Sequence, residues 1–229
     1  MPLTRRRLLW LAAIGSAGFP AARAVAADPP PIPDPPLVDP VGLLGTTSDP
    51  ETATLEAWAD TLIPGEKRWD GDDAIAGVAR GAGGVQAGAL ILMRDPVVGV
   101  GPFMPAFAAA VNAEAVAFAT ARRRTLDPTR PPFVALTYAD RSALVAQLVD
   151  DTSGTQQLLW FALAGLVFLA YHTAGWLPTA EAVRQGHPGL HAIGFPMPDA
   201  DGLWRFPHFS YRRALARRHP ATTRTGNPA

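Results

Sequence analysis

Along much of the chain, apolar residues recur at intervals of three and four, the spacing of a helix with one buried side. Ser48-Asp49-Pro50-Glu51 reads as a helix start: Ser48 or Asp49 can cap, Pro50 suits the first turn, and Glu51 meets the positive helix end. Leu55, Trp58, Ala59, Leu62 and Ile63 then share one face, and Pro64-Gly65 ends the segment. An acidic loop follows, from Glu66 to Asp73. A second helix is predicted from about Ala74 to Met93, with Ile75, Val78, Ala82, Val85, Ala89 and Leu92 on one side. Its glycines weaken it or admit a close neighbour. A third is predicted from about Pro102 to Arg123, carrying Phe103, Phe107, Val111 and Phe118, with Arg122 to Arg124 at the negative end.

Pro128, Pro131 and Pro132 predict a loop, and a fourth helix starts near Tyr138 with Thr137 as cap, burying Leu144, Val145 and Leu148. A fifth runs from about Gly154 to Thr173. Its stretch from Leu158 to Tyr171 is apolar without a break, too short for the roughly twenty residues of a membrane span. It reads as the central helix of a bundle, buried all round. From Pro178 onward the chain is rich in proline, glycine and aromatics and is predicted to be irregular. No alternating strand pattern and no internal repeat is visible. The predicted fold is all-α: a bundle of about five helices over residues 48–178 and an irregular segment over 179–229.

The two ends differ from this middle. Thr4-Arg5-Arg6-Arg7-Leu8-Leu9 matches a twin-arginine export signal, and a short apolar stretch to Phe19 follows. Ala22-Arg23-Ala24 and Ala24-Val25-Ala26 both offer the small–x–small pattern of signal peptidase. Cleavage after Ala26 is favoured, giving a leader over 1–26. Residues 27–47 hold seven prolines between Pro29 and Pro40 and read as an extended spacer. The formal net charge is zero, yet residues 205–224 hold six arginines and no acid, while residues 28–73 hold eleven acids and two bases. A mildly acidic chain with a basic tail is a poor fit to general nucleic-acid binding.

Candidate chemistry is sparse. The absence of cysteine excludes disulfides, thiolate zinc sites and iron–sulfur clusters. Gly81-Ala82-Gly83-Gly84 lacks the spacing and the preceding strand of a dinucleotide fingerprint. Asp70, Asp72 and Asp73 fail as a calcium loop, because Gly81 stands where the twelfth-position glutamate is needed. His187 and His191 are separated by Pro188-Gly189, which argues against one helix presenting both to a metal. His172 ends the apolar run, either as a hydrogen-bonded helix-end residue or as one facing a partner. Trp204, Arg205, Tyr211 and Arg212 mix aromatics with arginines, the side chains that dominate protein interfaces. Charged residues make up only 17% of the chain, which also suggests a covered surface.

The twin-arginine leader, the phrase Ala59-Asp60-Thr61-Leu62-Ile63-Pro64-Gly65, the following Ala76-Gly77-Val78, and the helix ending in Tyr171-His172 before Gly175-Trp176 together resemble the small subunit (subunit 3, or gamma) of gluconate 2-dehydrogenase. The resemblance covers about residues 48–178. The segment from Pro198 to Pro207 departs from it and is more similar to a related family of twin-arginine-exported proteins. The resemblance implies a non-catalytic accessory subunit and export escort. FAD and the catalytic residues would lie on a large partner, an alcohol or sugar dehydrogenase of the glucose–methanol–choline type, with a cytochrome as a further partner. It implies no cofactor and no metal on this chain, a periplasmic or extracellular location, and Asp60, Pro64, Gly65 and His172 among the partner contacts. Two competing readings are a stand-alone exported enzyme and a surface-binding helical module. Replacing Arg5, Arg6 and Arg7 together with lysine is expected to trap the chain inside the cell. Fractionation of the culture checks this, and normal secretion of the triple variant would refute the twin-arginine assignment.

Overall fold

The computed structural model describes residues 49–151, 155–200 and 204. The leader over 1–26, the spacer over 27–47 and the tail from 205 onward lie outside the described residues. The fold is all-α, with no strand among the described residues. The helices are α1 (Pro50–Leu62), α2 (Ala89–Arg94), α3 (Met104–Ala121), α4 (Pro132–Ala135), α5 (Tyr138–Asp151), α6 (Thr155–Thr173), α7 (Thr179–Arg184) and α8 (Pro188–Ala192). A 3-10 turn, Gly101–Phe103, leads into α3.

The start of α1 follows its sequence. Asp49 caps it, its carboxylate accepting from the Thr52 N–H at 3.0 Å and from the Thr52 hydroxyl at 2.6 Å. Thr137 does the same for α5, its Oγ1 accepting from the Asp140 N–H at 3.2 Å. The core joins Leu55 and Trp58 of α1 to Leu92, Val111, Phe133, Leu144 and Leu163. The Trp58 ring lies 6.2 Å from that of Phe133 and 5.8 Å from that of Trp160.

The central helix is α1, not the apolar α6. Helices α2 to α6 all pack against α1, and it is buried from Thr54 to Thr61 without a gap. Its threonines and carboxylates there are each supplied with a partner. Thr61 donates to the Ala57 carbonyl at 2.6 Å. Thr54 donates to the Pro50 carbonyl at 2.8 Å and accepts from Asn112 Nδ2 at 3.0 Å. Asn112 Oδ1 in turn accepts from the Phe133 N–H at 3.0 Å, which ties α1, α3 and α4 together. The expectation that the fifth helix is buried all round fails: on α6 Leu158 is 70% exposed and Leu169 45% exposed, with Leu159, Phe161 and Phe168 also facing out.

The predicted second helix is also corrected. Only Ala89–Arg94 is helical. Gly77, Gly81 and Gly88 adopt φ of 68°, 78° and 87°, in the left-handed region that interrupts a helix. The segment instead pairs with the turn after α1: the Glu66 N–H donates to the Gly81 carbonyl at 2.8 Å, and the Gly84 N–H to the Ile63 carbonyl at 2.8 Å. The proline-rich loop contains the short α4, which carries Phe133 into the core. The region after Pro178 is likewise not simply irregular, since it forms α7 and α8 over a small core of Ala174, Ala182 and Leu190.

The strongest polar tie is Arg68, held between two buried carboxylates. Its Nη1 and Nη2 donate to Glu56 Oε1 and Oε2 at 2.6 and 2.8 Å, and its Nε donates to Asp72 Oδ2 at 2.8 Å. Burial alone would lower its pKa, but the bonds to Glu56 and Asp72 outweigh that and raise it. Arg68→Met is expected to destabilise the domain by about 3–5 kcal/mol, because two buried carboxylates would then face a side chain that cannot donate. Arg184→Ala, which breaks the exposed Arg184–Glu181 pair, is expected to cost at most about 1 kcal/mol. Urea unfolding of the two variants checks the contrast.

Candidate functional site

Asp60 and Gly65, two of the sequence candidates, are buried, and Pro64 is half-buried. The Asp60 carboxylate accepts from the Gly65 N–H at 3.0 Å and from the Ala76 N–H at 2.8 Å. Desolvation pushes its pKa above the ordinary aspartate value, while those two N–H groups and the Arg141 charge pull the other way. A Cβ on Gly65 would fall 2.5 Å from the Gly83 nitrogen, so the turn after α1 fits against the glycine segment only without a side chain. The phrase from Ala59 to Gly65 and the phrase Ala76-Gly77-Val78 thus meet physically, and they meet as a latch inside the fold.

Arg141 fastens the other side of this loop. Its guanidinium donates to the carbonyls of Phe133 at 3.1 Å, Ala74 at 2.8 Å, Asp73 at 3.2 Å and Val134 at 2.5 Å. Burial lowers its pKa, and the nearby Asp60 charge offsets part of that. These groups are all occupied with the chain's own backbone. Among the described residues, no group of three or more His, Asp or Glu side chains is placed to hold a metal ion.

The histidines separate by role. His172 is exposed, stacked on Phe168 at 6.4 Å and edge-on to Tyr171 at 5.4 Å. His187 is buried as the cap of α8. Its Nε2 lies 3.0 Å from the Ala87 carbonyl and its Nδ1 accepts from the Leu190 N–H at 3.4 Å, an arrangement that fits the neutral ring with its proton on Nε2. The same carbonyl accepts from Trp176 Nε1 at 3.1 Å. His187 precedes α8 as its cap while His191 lies within it, and His187 is turned to Ala87. Trp204 is half-buried and donates from Nε1 to the Pro196 carbonyl at 2.9 Å, with its ring 6.1 Å from Phe195. Arg5, Arg6, Arg7, Ala24, Ala26, Arg205, Tyr211 and Arg212 lie outside the described residues.

What remains open to a ligand or partner is apolar surface. Gly101–Ala121 is the one helical run among the described residues long and apolar enough to cross a membrane, and a third of its apolar window is buried. Its inner side, with Met104, Val111 and Phe118, packs on the core. Its outer side carries Ala106, Ala109, Ala113, Val116 and Ala117, all exposed, with Phe103 61% exposed at its head. The second such surface is the outer face of α6. Sequence reasoning missed both as surfaces. The signal was present in the even hydrophobicity of the two helices, which left no polar side to turn to water.

Residues 49–229 match a family of unknown function, DUF5987. The chain belongs to that family. No curated protein and no solved structure matches it.

Burial holds the His187 imidazole below its ordinary pKa. On acidification the unfolded chain therefore takes up its proton first, near pH 6.5, while the folded ring stays neutral. Stability is expected to fall as pH drops below about 6.5. Protonated Nδ1 would also meet the Leu190 N–H donor to donor. His187→Gln is expected to flatten this dependence, and urea midpoints for both proteins across that range check it.

Proposed function

We propose that this chain is a non-catalytic accessory subunit that binds a large flavoprotein and escorts it out of the cell by the twin-arginine route. The observation that carries the partner-binding part is the outer side of α3. An exposed helix face built of Ala106, Ala109, Ala113, Val116 and Ala117 costs free energy in water and regains it against another protein. The identity of the partner rests on the resemblance to the small subunit of gluconate 2-dehydrogenase. It points to an FAD-dependent alcohol or sugar dehydrogenase of the glucose–methanol–choline type, passing electrons to a cytochrome. The polar groups of the Asp60 latch and the Arg68 knot are compatible with this role, since they hold a scaffold together and leave chemistry to the partner.

The test is co-purification from the native host with a tag on this chain. The full chain is expected to retain a large protein with a flavin spectrum. Ala109→Glu/Val116→Glu places two carboxylates on an exposed face, so folding should survive and circular dichroism should be unchanged. Retention of the flavoprotein should fall roughly thirty-fold or more, the effect of losing about 2 kcal/mol at an interface. A tagged wild-type chain that brings down no flavoprotein refutes the dehydrogenase reading.

A further inference from the structure

The backbone bonds of the last two helices close on themselves. The Glu181 and Ala182 N–H groups donate to the Pro178 carbonyl at 2.9 and 3.0 Å and open α7. The His187 N–H donates to the Ala182 carbonyl at 2.8 Å, joining α7 to α8, and the Phe195 N–H donates to the Leu190 carbonyl at 2.9 Å, closing α8. Glu181 pairs with Arg184 and accepts from Gln185 Nε2 at 2.8 Å. The unit also has its own small core, in which Ala182 and Leu190 meet Ala174.

Among the described residues, the polar ties from this unit to the bundle run through one side chain. His187 Nε2 lies 3.0 Å from the Ala87 carbonyl, and the ring also bonds the Ala170 carbonyl of α6. The rest of the seam is close apolar packing: Gly189 rests against the Tyr171 carbonyl with no room for a Cβ. The pin holds in the neutral ring. Nε2 carries the proton that reaches Ala87, and Nδ1 accepts from the Leu190 N–H at 3.4 Å. A second proton would sit on Nδ1, facing that N–H donor to donor, and would place a charge in a buried site.

The surroundings do not repay that charge. The titratable groups on the elements packed around the ring are Arg94 on α2, Tyr171 and His172 on α6, Glu181 and Arg184 on α7, and His191 on α8. Glu181 and Arg184 pair with each other, Arg94 pairs with Glu51, and His172 is exposed. No carboxylate among the described residues bonds to the ring. The carbonyls of Ala87 and Ala170 favour the proton, but burial outweighs them.

We propose that residues 178–194 are a flap, pinned to the bundle by the His187 ring and released as a unit when that ring takes up a proton. Pro178, extended at φ −55° and ψ 130°, and Gly194, at φ 63°, are its two hinges. Trp176 lies before the flap and keeps donating to the Ala87 carbonyl at 3.1 Å, so release leaves that acceptor satisfied. Opening uncovers Ala170 and Ala174 at the end of α6, both 0% exposed when the flap is closed. The acid sensitivity of the domain is then local, with the α1 bundle intact beneath it. The flap goes beyond the accessory-subunit reading and does not depend on it.

The open flap lets His187 titrate near pH 6.5, and the closed flap does not. The opening equilibrium therefore grows about tenfold for each pH unit well below 6.5, reaching roughly thirty-fold at pH 5. Hydrogen exchange of the full chain, followed by mass spectrometry at pH 7.5 and pH 5 and corrected for intrinsic rates, reads this directly. Protection of residues 179–194 is expected to fall by about that factor, with α1, α3 and α5 unchanged. Unchanged protection in the flap, or an equal loss across the bundle, overturns the proposal. His187→Gln retains a donor for Ala87 and does not titrate, so its flap protection should be the same at both pH values. A pH step that persists in a folded His187→Gln protein also overturns it; if that variant does not fold, the regional pattern in the wild-type chain decides.

Discussion

Everything in this fold depends on burying a helix that carries charge. Helix α1 lies among five others, yet Glu56 and Asp60 are on it. A buried carboxylate left unpaired costs several kcal/mol, more than a typical core residue returns. The stretch after α1 exists to remove that cost. Arg68 neutralises Glu56, Asp72 completes the shell of Arg68, and the backbone of Gly65 and Ala76 feeds Asp60. Because these donors come from an irregular segment, the segment cannot be helical. The glycines with positive φ are the backbone's answer to that demand.

This explains which parts of the architecture were legible in the sequence. Caps and periodicity are local, so the start of α1 at Asp49, the start of α5 at Thr137 and the buried Leu144, Val145 and Leu148 could be read directly. The all-α class followed from the same signals. The centre of the bundle could not, because hydrophobicity stands in for burial only when polar groups go unpaired. Helix α1 looks half polar and is the hub; α6 looks like a core helix and presents much of its length outward. The Ala74–Met93 periodicity was real in composition but overridden by hydrogen bonds to the turn after α1, which no window of sequence reveals.

For the candidate site the position is reversed. The phrase from Ala59 to Gly65, which prompted the comparison with an accessory subunit, turns out to describe an internal latch. A motif can mark kinship by preserving a scaffold while saying nothing of the surface that scaffold presents. The surfaces themselves were encoded as excess: α3 and α6 have more apolar residues than one buried side can use. That excess also accounts for part of the low share of charged residues in the chain.

The Ala87 carbonyl holds a different consequence. It accepts from Trp176 and lies within bonding distance of His187, about a hundred residues further on. The Arg68 knot, by contrast, closes over twelve residues or fewer. During synthesis from the N-terminus the charged half of the α1 environment can therefore assemble as soon as Asp72 has emerged. The bonds to the Ala87 carbonyl must wait until Trp176 and His187 leave the ribosome. Such distant pairings slow folding, since loop closure precedes the contacts that reward it. The nascent chain thus carries a neutralised Glu56 through much of its elongation before the Ala87 carbonyl finds its partners.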